Sequence, residues 1–292
     1  MSDTDLGTLY VVATPIGNLE DLSPRAARLL GEVALIAAED TRHTARLLRH
    51  LGLKVPMLSL HEHNEPARVE RLDERLARGD SIALVSDAGT PLISDPGFVL
   101  VRALRERGRR IVPVPGPCAL VAALSAAGLP TDRFLFQGFL PARTGARRQR
   151  LEQLAGRQET LVFYESPHRI RDTLADIAAV LGERHLVLAR ELTKSFETFL
   201  DGSAAALLGR MEADPDQARG EFVIMAAGAE EREPTDAASL EADAVLAALL
   251  AEGVGVKQAS AVAARLLGGT KKAWYARAQS LKEAHGEGVE RH

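Results

Sequence analysis

The chain has 292 residues, 46% of them hydrophobic, which is enough for two ordinary domains, and no run approaches the roughly 18 apolar residues of a membrane span. A formal net charge of −4 argues against the strongly basic background of many nucleic-acid binders, so any such contact must come from local patches. The single cysteine, Cys118, excludes an internal disulfide framework and a multi-cysteine zinc site.

The start of the chain, residues 1–7, is polar and lacks a signal-peptide pattern, so we expect a cytoplasmic protein. Short apolar runs then alternate with helical patterns. The predicted strands of this part are residues 9–13, 33–38, 57–60, 82–85 and 111–114. This alternation predicts a parallel sheet covered by helices, which forms a first α/β domain over residues 1–128.

A second alternation follows, with strands predicted at residues 134–137, 161–164, 186–189, 197–200 and 222–226. The last three are close in sequence, which favours some antiparallel pairing. We therefore expect a second α/β domain over residues 129–228, an acidic linker over 229–236 and a helical domain over 237–292. Helical spacing predicts one apolar face of that domain from Val256, Ala259, Val262, Leu266 and Leu267.

The loop most dense in Gly and Pro is residues 86–97, SDAGTPLISDPG, directly after a predicted central strand. In open α/β sheets ligands bind outside the carboxyl ends of strands, and Gly89 lacks the Cβ that would block their approach. Asp95 and Pro96 match the N-cap and the first residue of a helix, so we assign that pair to helix capping. The loop is therefore predicted to hold a ligand at residues 86–91.

The two commonest phosphate-binding signatures are absent: G-x-G-x-x-G at the first turn, and G-x-x-x-x-G-K-[ST] anywhere. The turn after the first strand instead reads TPIGN, residues 14–18. The next strand leads into AEDTRHT, residues 38–44, which places two carboxylates, a guanidinium and an imidazole at one predicted sheet edge. If the predicted α/β domain binds a ligand at these loops, the ligand is not one recognised through either of these two phosphate-binding motifs.

Six strings occur in one order along the chain: TPIGN, AEDTRHT, SDAGTPLISDPG, PGPCA, GFLP and YESPHR. Together they closely resemble the family of bacterial 16S rRNA cytidine 2′-O-ribose methyltransferases, within the tetrapyrrole-methylase superfamily. The resemblance spans nearly the whole chain. It implies two α/β domains with S-adenosylmethionine in the cleft between them, a homodimer, and methylation of a cytidine ribose in the decoding region of 16S rRNA within the 30S subunit.

By the same resemblance, the cofactor contacts loops of both α/β domains. The expected cofactor-binding residues are Pro15, Gly17, Ser86, Asp87, Ala88, Gly89, Thr90, Pro91, Pro117, Cys118, Ala119, Gly138 and Leu140. The TPIGN turn stands where tetrapyrrole methylases usually have a glycine-rich turn, which favours the RNA-modifying branch.

Methyl transfer to a 2′-hydroxyl is an in-line displacement, and positioning alone can lower such a barrier by about 7–11 kcal/mol. A base that accepts the hydroxyl proton helps further. The candidates within the matched motifs are Asp40, His43, Glu165 and His168. We favour Asp40 because it follows a strand of the first domain at its carboxyl end, with helix capping as its alternative role.

Two arginine-rich segments suit phosphate groups. Arg42, Arg46 and Arg49 fall on one helix face, and residues 143–150 contain four arginines and no acid. We expect Arg42, Arg46, Arg143, Arg147 and Arg148 to bind RNA, so that reversing Arg147 and Arg148 to Glu weakens RNA capture. The alternative for each segment is a solvated helix face.

In the tail, Lys271 and Lys272 precede Trp274 and Tyr275, a mixture of charge and aromatic rings that suits single-stranded RNA. We expect both lysines to contact RNA. Trp274 has two possible roles, stacking on a base or packing the helical domain.

His61 and His63 occupy alternate positions of a predicted strand end, but no third ligand follows at a fixed spacing, so we expect no metal. Two other functions remain open. One is a methyltransferase of the same fold with a small-molecule, tetrapyrrole-like acceptor, and the other is a non-catalytic RNA-binding assembly factor.

Overall fold

The computed structural model describes residues 6–61, 63–230 and 236–286. The chain divides into two compact units, residues 1–229 and 230–292. Residues 231–235 of the predicted linker, residues 287–292 of the predicted helical domain and Glu62 lie outside the described residues. Within the described residues, no helix is both long and apolar enough to cross a membrane.

The first sheet of the larger unit is parallel, as the alternation predicts. Its strands in chain order are β1 (Thr8–Val12), β2 (Leu35–Ala38), β3 (Met57–Ser59), β4 (Ile82–Val85) and β5 (Arg110–Val114). They lie side by side in the order β3-β2-β4-β1-β5, which places β4 at the centre. Every residue of β2 and β4 is buried, which explains their uninterrupted apolar sequences.

Helices cover both faces of this sheet. They are α1 (Pro24–Glu32) and α2 (Thr41–His50) on one face and α3 (Glu65–Ala77) and α4 (Phe98–Glu106) on the other. α1 begins where the sequence indicates, because the Ser23 side chain accepts a hydrogen bond from the Ala26 N–H and Pro24 is the first helical residue.

The second sheet of the larger unit is mixed. Its strands are β6 (Phe134–Phe139), β7 (Thr160–Glu165), β8 (His185–Arg190), β9 (Thr198–Ser203) and β10 (Phe222–Ala226), in the spatial order β6-β7-β10-β8-β9. β6 pairs with β7 in parallel, whereas β10 is antiparallel to β7 and β8, and β8 is antiparallel to β9. The predicted antiparallel pairing among the last strands is confirmed.

One face of the second sheet packs against three helices, α6 (Thr144–Leu154), α7 (Ile170–Leu181) and α8 (Ala204–Ala213). The other face packs against α5 (Ala119–Ala126), which follows the last strand of the first sheet. Since Leu120 and Leu124 of α5 belong to the same core as Val162 and Val187, the hydrophobic core under the second sheet includes residues before position 128.

The smaller unit consists of α9 (Asp236–Ala251), α10 (Val256–Leu267) and α11 (Lys271–Gly286). Its described core is Leu246, Ala259, Ala263, Trp274 and Ala278. The predicted apolar face of α10 is wrong in its later part, because Val262, Leu266 and Leu267 are exposed and the buried positions are Ala259, Ser260 and Ala263. On α10 the core is therefore formed by the small side chains of Ala259 and Ala263.

Candidate active site

The loops that follow β1 and β4 are joined at the carboxyl edge of the first sheet. Thr14 and Gly89 form an antiparallel bridge with N–H to carbonyl distances of 2.9 and 3.0 Å. The Thr14 hydroxyl also donates to the carbonyl of Ser86 at 3.3 Å. The Thr90 hydroxyl donates to the carbonyl of Pro117 at 2.9 Å, which adds the loop after β5. Three of the six motifs therefore meet at one edge.

The loop between β4 and α4 has an unusual backbone. Gly89 and Gly97 have φ of +81° and +124°, and Leu92 and Ser94 have φ of +74° and +66°, which is costly for residues with a Cβ. α4 begins at Phe98, with Gly97 at its N-cap. The assignment of Asp95 and Pro96 to helix capping is therefore wrong: the left-handed Gly97 delays the helix by two residues.

A cavity of about 320 Å³ opens beside this loop. Its wall from the first part of the chain contains five of the predicted cofactor residues: Ala88, Gly89, Thr90, Cys118 and Ala119. The same wall includes Ile16, between the predicted Pro15 and Gly17, and Asp95. The loops that the resemblance associates with the cofactor therefore surround one space.

The opposite wall comes from the second sheet and includes Phe139, Tyr164, Glu165, Leu192 and Val223. The ring of Tyr164 is edge-on to Phe139, with centroids 5.8 Å apart, and its hydroxyl accepts the Leu120 N–H at 3.0 Å. Burial raises the pKa of Tyr164. Tyr164 therefore fixes the start of α5 against the second sheet and is held as a neutral phenol.

The other predicted cofactor residues lie around the cavity without lining it. Ser86 is buried at the end of β4, and Asp87 is exposed beside it. A Cβ on Gly17 would lie 2.4 Å from Cγ of Lys194, and one on Gly138 would lie 2.9 Å from the Ser94 hydroxyl oxygen, so these glycines permit close approach between the two parts of the unit. The remaining ones are Pro15, Pro91, Pro117 and Leu140, of which Leu140 is in the core of the second sheet.

Asp40, His43 and Asp87 meet at the end of β2. Asp40 caps α2 by accepting the Arg42 N–H at 2.8 Å, and the Arg42 guanidinium pairs with its carboxylate at 2.5 Å. Arg42 thereby holds the pKa of Asp40 well below its usual range. Nδ1 of His43 is 3.1 Å from Asp87, which also accepts the Asp40 N–H at 3.0 Å. These contacts favour the capping role of Asp40, and its catalytic role stays a prediction.

Glu165 has a fully buried side chain whose two oxygens are engaged. Oε1 accepts the Ser166 N–H at 2.9 Å, and Oε2 accepts the Thr173 hydroxyl at 2.7 Å and lies 3.3 Å from the Arg169 guanidinium. Arg169 also donates to the carbonyl of Leu140 at 2.6 Å. The contacts favour an anchoring role between β7, α7 and the loop after β6, so catalysis by Glu165 also stays a prediction. The further candidate His168 is exposed.

Asp95 is one of several cavity-lining residues that the sequence analysis did not assign to the site. It is half-buried in the cavity wall, and burial raises the pKa of its carboxyl to about 6. The Ser86 hydroxyl opposes the shift, and the nearby carboxylates of Glu39 and Asp87 add to it. Phe139 and Tyr164 were within the quoted GFLP and YESPHR strings, so their place in the motifs was the available signal. Asp95 was not assigned to the site because the Asp-Pro pair matches a helix-capping pattern.

The expected RNA contacts divide by exposure. Arg147 is 2% exposed, and its guanidinium lies 2.6 Å from Asp176 on α7 and donates to the carbonyl of Ala142. It is therefore unavailable to a phosphate, which corrects its expected role, and reversing it to Glu would break the core of this unit. Arg148 pairs with the same Asp176 at 2.6 Å but is 50% exposed. Arg143, Arg46 and Arg42 are exposed.

In the smaller unit, Lys271 and Lys272 are exposed at the start of α11. Trp274 is only 6% exposed, and its indole N–H donates to the carbonyl of Gly268 at 2.5 Å. Of the two roles open for Trp274, the structure shows packing. Arg277 is paired with Asp243 on α9.

His61 and His63 lie in the loop between β3 and α3. Their rings are 6.0 Å apart, and the Asn64 amide lies 3.0 Å from Nε2 of His61. Among residues 6–61, 63–230 and 236–286, no group of three or more His, Cys, Asp or Glu side chains is placed to hold a metal ion.

Comparison with known sequences extends this picture. The family described as Tetrapyrrole (Corrin/Porphyrin) Methylases matches residues 8–208, and a domain described as RsmI C-terminal HTH domain matches residues 236–282. A protein of Pseudomonas aeruginosa named Ribosomal RNA small subunit methyltransferase I is 54% identical over 273 residues, which are 93% of this chain and 96% of that protein. Its namesake in Escherichia coli O157:H7 is 50% identical over 276 residues, 94% and 95% of the two chains.

Solved structures with a similar fold include the methyltransferase CobJ, with a TM-score of 0.57 and 22% identity over 78% of this chain and 96% of that one. A uroporphyrin-III-C-methyltransferase from Thermus thermophilus has a TM-score of 0.52 and 24% identity, covering 76% and 94% of the two chains. At these identities the likeness shows the fold alone. This fold, with two α/β domains, is the one predicted in the sequence analysis for residues 1–228.

Proposed function

The chain belongs to the tetrapyrrole methylase family and, within it, to the ribosomal RNA small subunit methyltransferases I. From that premise we propose that it methylates a cytidine 2′-hydroxyl in 16S rRNA and uses S-adenosylmethionine as the methyl donor. It is a methyltransferase of small-subunit ribosomal RNA. The cofactor, the atom methylated, the position in the decoding region and the 30S form of the substrate are our proposals.

The observation that carries the proposal is the cavity between the loop after β4 and the second sheet. Its volume of about 320 Å³ is at the lower end of the range of small-molecule pockets. Its wall combines loop backbone at Gly89 with the apolar and aromatic side chains of Ile16, Phe139 and Leu192. An adenosyl group with a short charged chain suits such a wall, because the ring packs on apolar surface while backbone groups bind its polar edge.

The structure fits the cofactor in a second way. Gly89 has φ of +81°, and an added Cβ would lie 3.3 Å from Ile16, so a side chain at this position would crowd the cavity wall. Bound S-adenosylmethionine would supply an electrophilic methyl group on a sulfonium. We propose that residues 86–91, Pro117, Cys118 and Ala119 hold it from one side and backbone near Gly138 and Leu140 from the other, with Pro15 and Gly17 at the border.

The chain's own contribution is chiefly positioning. The Thr14–Gly89 bridge, the Thr90–Pro117 hydrogen bond and the Tyr164–Leu120 hydrogen bond lock the loops on which a ligand would rest. A rigid site holds the attacking oxygen and the methyl carbon in line without an ordering cost at each turnover. Asp40, His43 and Glu165 stay predicted catalytic residues, although the contacts of Asp40 and Glu165 favour structural roles.

For the RNA we propose contacts with the exposed Arg42, Arg46, Arg143 and Arg148 of the larger unit and with Lys271 and Lys272 of the smaller one. Exposed cations can neutralise phosphates and release counterions, and Arg148 keeps half of its side chain exposed while it pairs with Asp176. We further propose a cytoplasmic homodimer. The resemblance supports the dimer, as do the exposed apolar side chains of Phe98 and Val121, which are 62% and 60% exposed.

The domain division that we propose is residues 1–128, 129–228 and 237–292, with a linker at 229–236. Support comes from the two sheets, one on each side of position 128, and from the separate core of α9 to α11.

The decisive experiment is transfer of labelled methyl from S-adenosylmethionine to unmodified 30S subunits, followed by nuclease digestion and mass spectrometry of the labelled nucleoside. We expect 2′-O-methylcytidine. No label on 30S subunits, naked 16S rRNA or 70S ribosomes, together with demonstrable cofactor binding, would contradict the RNA acceptor and favour a small-molecule acceptor. RNA binding without any transfer would favour the assembly-factor alternative.

A further inference from the structure

Three carboxyl-bearing residues line the cavity, and their surroundings differ. Glu165 is fully buried with both oxygens engaged and Arg169 at 3.3 Å. Glu221 accepts a hydrogen bond from the Lys194 ammonium at 2.9 Å, and its side chain is 76% exposed. Asp95 is half-buried and forms no ion pair within the described part of the chain, and the groups that affect its pKa are the Ser86 hydroxyl and the carboxyls of Glu39 and Asp87.

Asp95 lies in the wall of the cavity between the loop after β4 and the second sheet. The preceding residue, Ser94, has φ of +66°, and its hydroxyl approaches the backbone of Gly138 on β6. Asp95 and Tyr164 of β7 line the same cavity. A residue with a Cβ keeps a left-handed backbone conformation only where the surrounding structure enforces it. The conformation of this loop at the cavity is therefore maintained at a cost in folding stability.

We propose that Asp95 accepts the proton of the ribose 2′-hydroxyl during methyl transfer, an inference that rests on the proposed function. As the hydroxyl oxygen forms its bond to the methyl carbon, the O–H bond breaks and the proton passes to a carboxylate oxygen of Asp95. The electron pair of the broken carbon–sulfur bond stays on sulfur. One positive charge is lost from the cofactor and one negative charge from Asp95, so the step balances, and the proton then leaves to solvent through the exposed side of the carboxyl.

The protonation equilibrium of Asp95 suits this role. Burial raises its pKa to about 6, and Glu39 and Asp87 contribute in the same direction against the Ser86 hydroxyl. A carboxyl with that pKa is largely ionised at neutral pH and is a stronger proton acceptor than an ordinary aspartate. Asp40 is the opposite case, because Arg42 lowers its pKa and weakens it as a base. The remaining ionisable groups of the wall are Cys118, Tyr164, Glu165 and Glu221.

The first test is the pH dependence of methyl transfer to 30S subunits by wild type, Asp95→Asn and Asp201→Asn, the last being an exposed carboxyl on β9. For wild type and Asp201→Asn we expect kcat/KM to fall below an apparent pKa near 6. Asp95→Asn should lose about 100-fold or more in rate and lack that acidic limb. Its affinity for S-adenosylhomocysteine, measured by calorimetry, should stay within about threefold of wild type, since a proton acceptor contributes little to ground-state binding.

A rate within tenfold of wild type for Asp95→Asn, or an unchanged acidic limb, would overturn the proposal. So would a loss of cofactor affinity that matches the loss of rate, because Asp95 would then be a cofactor-binding residue. If wild type itself produces no 2′-O-methylcytidine, the proposed function fails, whereas product from both proteins at similar rates removes only the role of Asp95.

The second test does not depend on turnover or on the folding of a variant. Wild-type protein is labelled with ¹³C-aspartate, and the carboxyl resonance of Asp95 is followed by NMR between pH 3 and pH 9. The resonance is assigned through the backbone, or by its absence from the spectrum of Asp95→Asn. We expect a midpoint near 6. A midpoint near 4, the ordinary value for aspartate, would contradict the proposal.

Discussion

Two carboxyl groups in the larger unit, one buried and one half-buried, have opposite surroundings. Asp176 on α7 is 2% exposed and lies between Arg147 and Arg148 of α6, each 2.6 Å away. Asp95 on the loop before α4 is half-buried, and the groups that affect its pKa are a hydroxyl and two carboxylates. Both carboxyls lose water, but only Asp176 gains cations in return.

This difference distinguishes a carboxylate that stabilises the fold, Asp176, from a carboxyl that can exchange a proton, Asp95. A buried carboxylate that is hydrogen-bonded to cations stays ionised and joins two helices. Removing one of the cations destabilises the folded protein, because the buried charge is then no longer fully compensated. A carboxyl that is desolvated without a cation keeps a proton more tightly and is available to exchange it. The α6–α7 contact therefore stabilises the second sheet, whereas the loop before α4 accepts a local cost at the cavity.

The largest expected effect comes from filling the cavity at its loop. Gly89→Trp should reduce methyl transfer below about 1% of wild type, because the indole occupies ligand space, while the chain stays folded. Trp at a positive φ adds about 1–2 kcal/mol of backbone strain by itself. Methyl transfer and cofactor binding are measured beside circular dichroism.

Gly108→Trp is the matched control. Gly108 has φ of +70°, close to the +81° of Gly89, but an added Cβ there meets no atom within 4 Å. It carries the strain without blocking the cavity, so we expect it to retain activity. Turnover by Gly89→Trp at the wild-type rate would remove the cofactor assignment of residues 86–91.

The next effect comes from breaking the α6–α7 contact. Arg147→Ala leaves Asp176 buried with only the half-exposed Arg148, so we expect a loss of about 3 kcal/mol in the free energy of unfolding. Arg148→Ala should cost about 1 kcal/mol or less, because half of its side chain is already in water. Urea unfolding of the two variants provides the comparison. Equal losses would contradict a structural role specific to Arg147.

A smaller effect concerns Arg143, an exposed arginine of the same segment. Arg143→Ala should weaken binding to 30S subunits a few-fold and reduce the slope of log K against log salt by about 1, the change expected for one phosphate contact. Cofactor affinity should not change. An unchanged salt slope would place the RNA elsewhere and leave Arg143 as part of a solvated face.

The sequence predicted the strands, the parallel first sheet and the loop at residues 86–91, because buried strands and Gly-Pro turns leave strong local signals, whereas the other loops at the cavity were expected from the family resemblance. It did not separate Arg147 from Arg148, since adjacent residues in a charge run differ only in the helix face that α7 covers. It assigned Asp95 to capping because the backbone conformation of Gly97, which delays α4, has no local signature. Both errors arise from tertiary contacts between segments distant in sequence.

The smallest effect is the pH dependence of stability, and its sign distinguishes Asp95 from Asp40. Because the pKa of Asp95 is about 6 in the folded protein and near 4 in an unfolded chain, the folded state binds more protons between these values and loses stability as the pH rises. After allowance for its partial exposure, the ionised carboxyl costs about 1 kcal/mol above pH 6. Asp95→Asn should therefore be more resistant to urea than wild type at pH 8 and equal to it at pH 4.

Asp40→Asn should behave in the opposite way. Arg42 lowers the pKa of Asp40, so its carboxylate stabilises the folded state above about pH 4 and this contribution is lost as the pH falls through the folded-state value. The variant should be less stable than wild type at pH 8. If both substitutions lowered stability at pH 8, Asp95 would be a compensated charge like Asp176, and the contrast between the cavity loop and the α6–α7 contact would disappear.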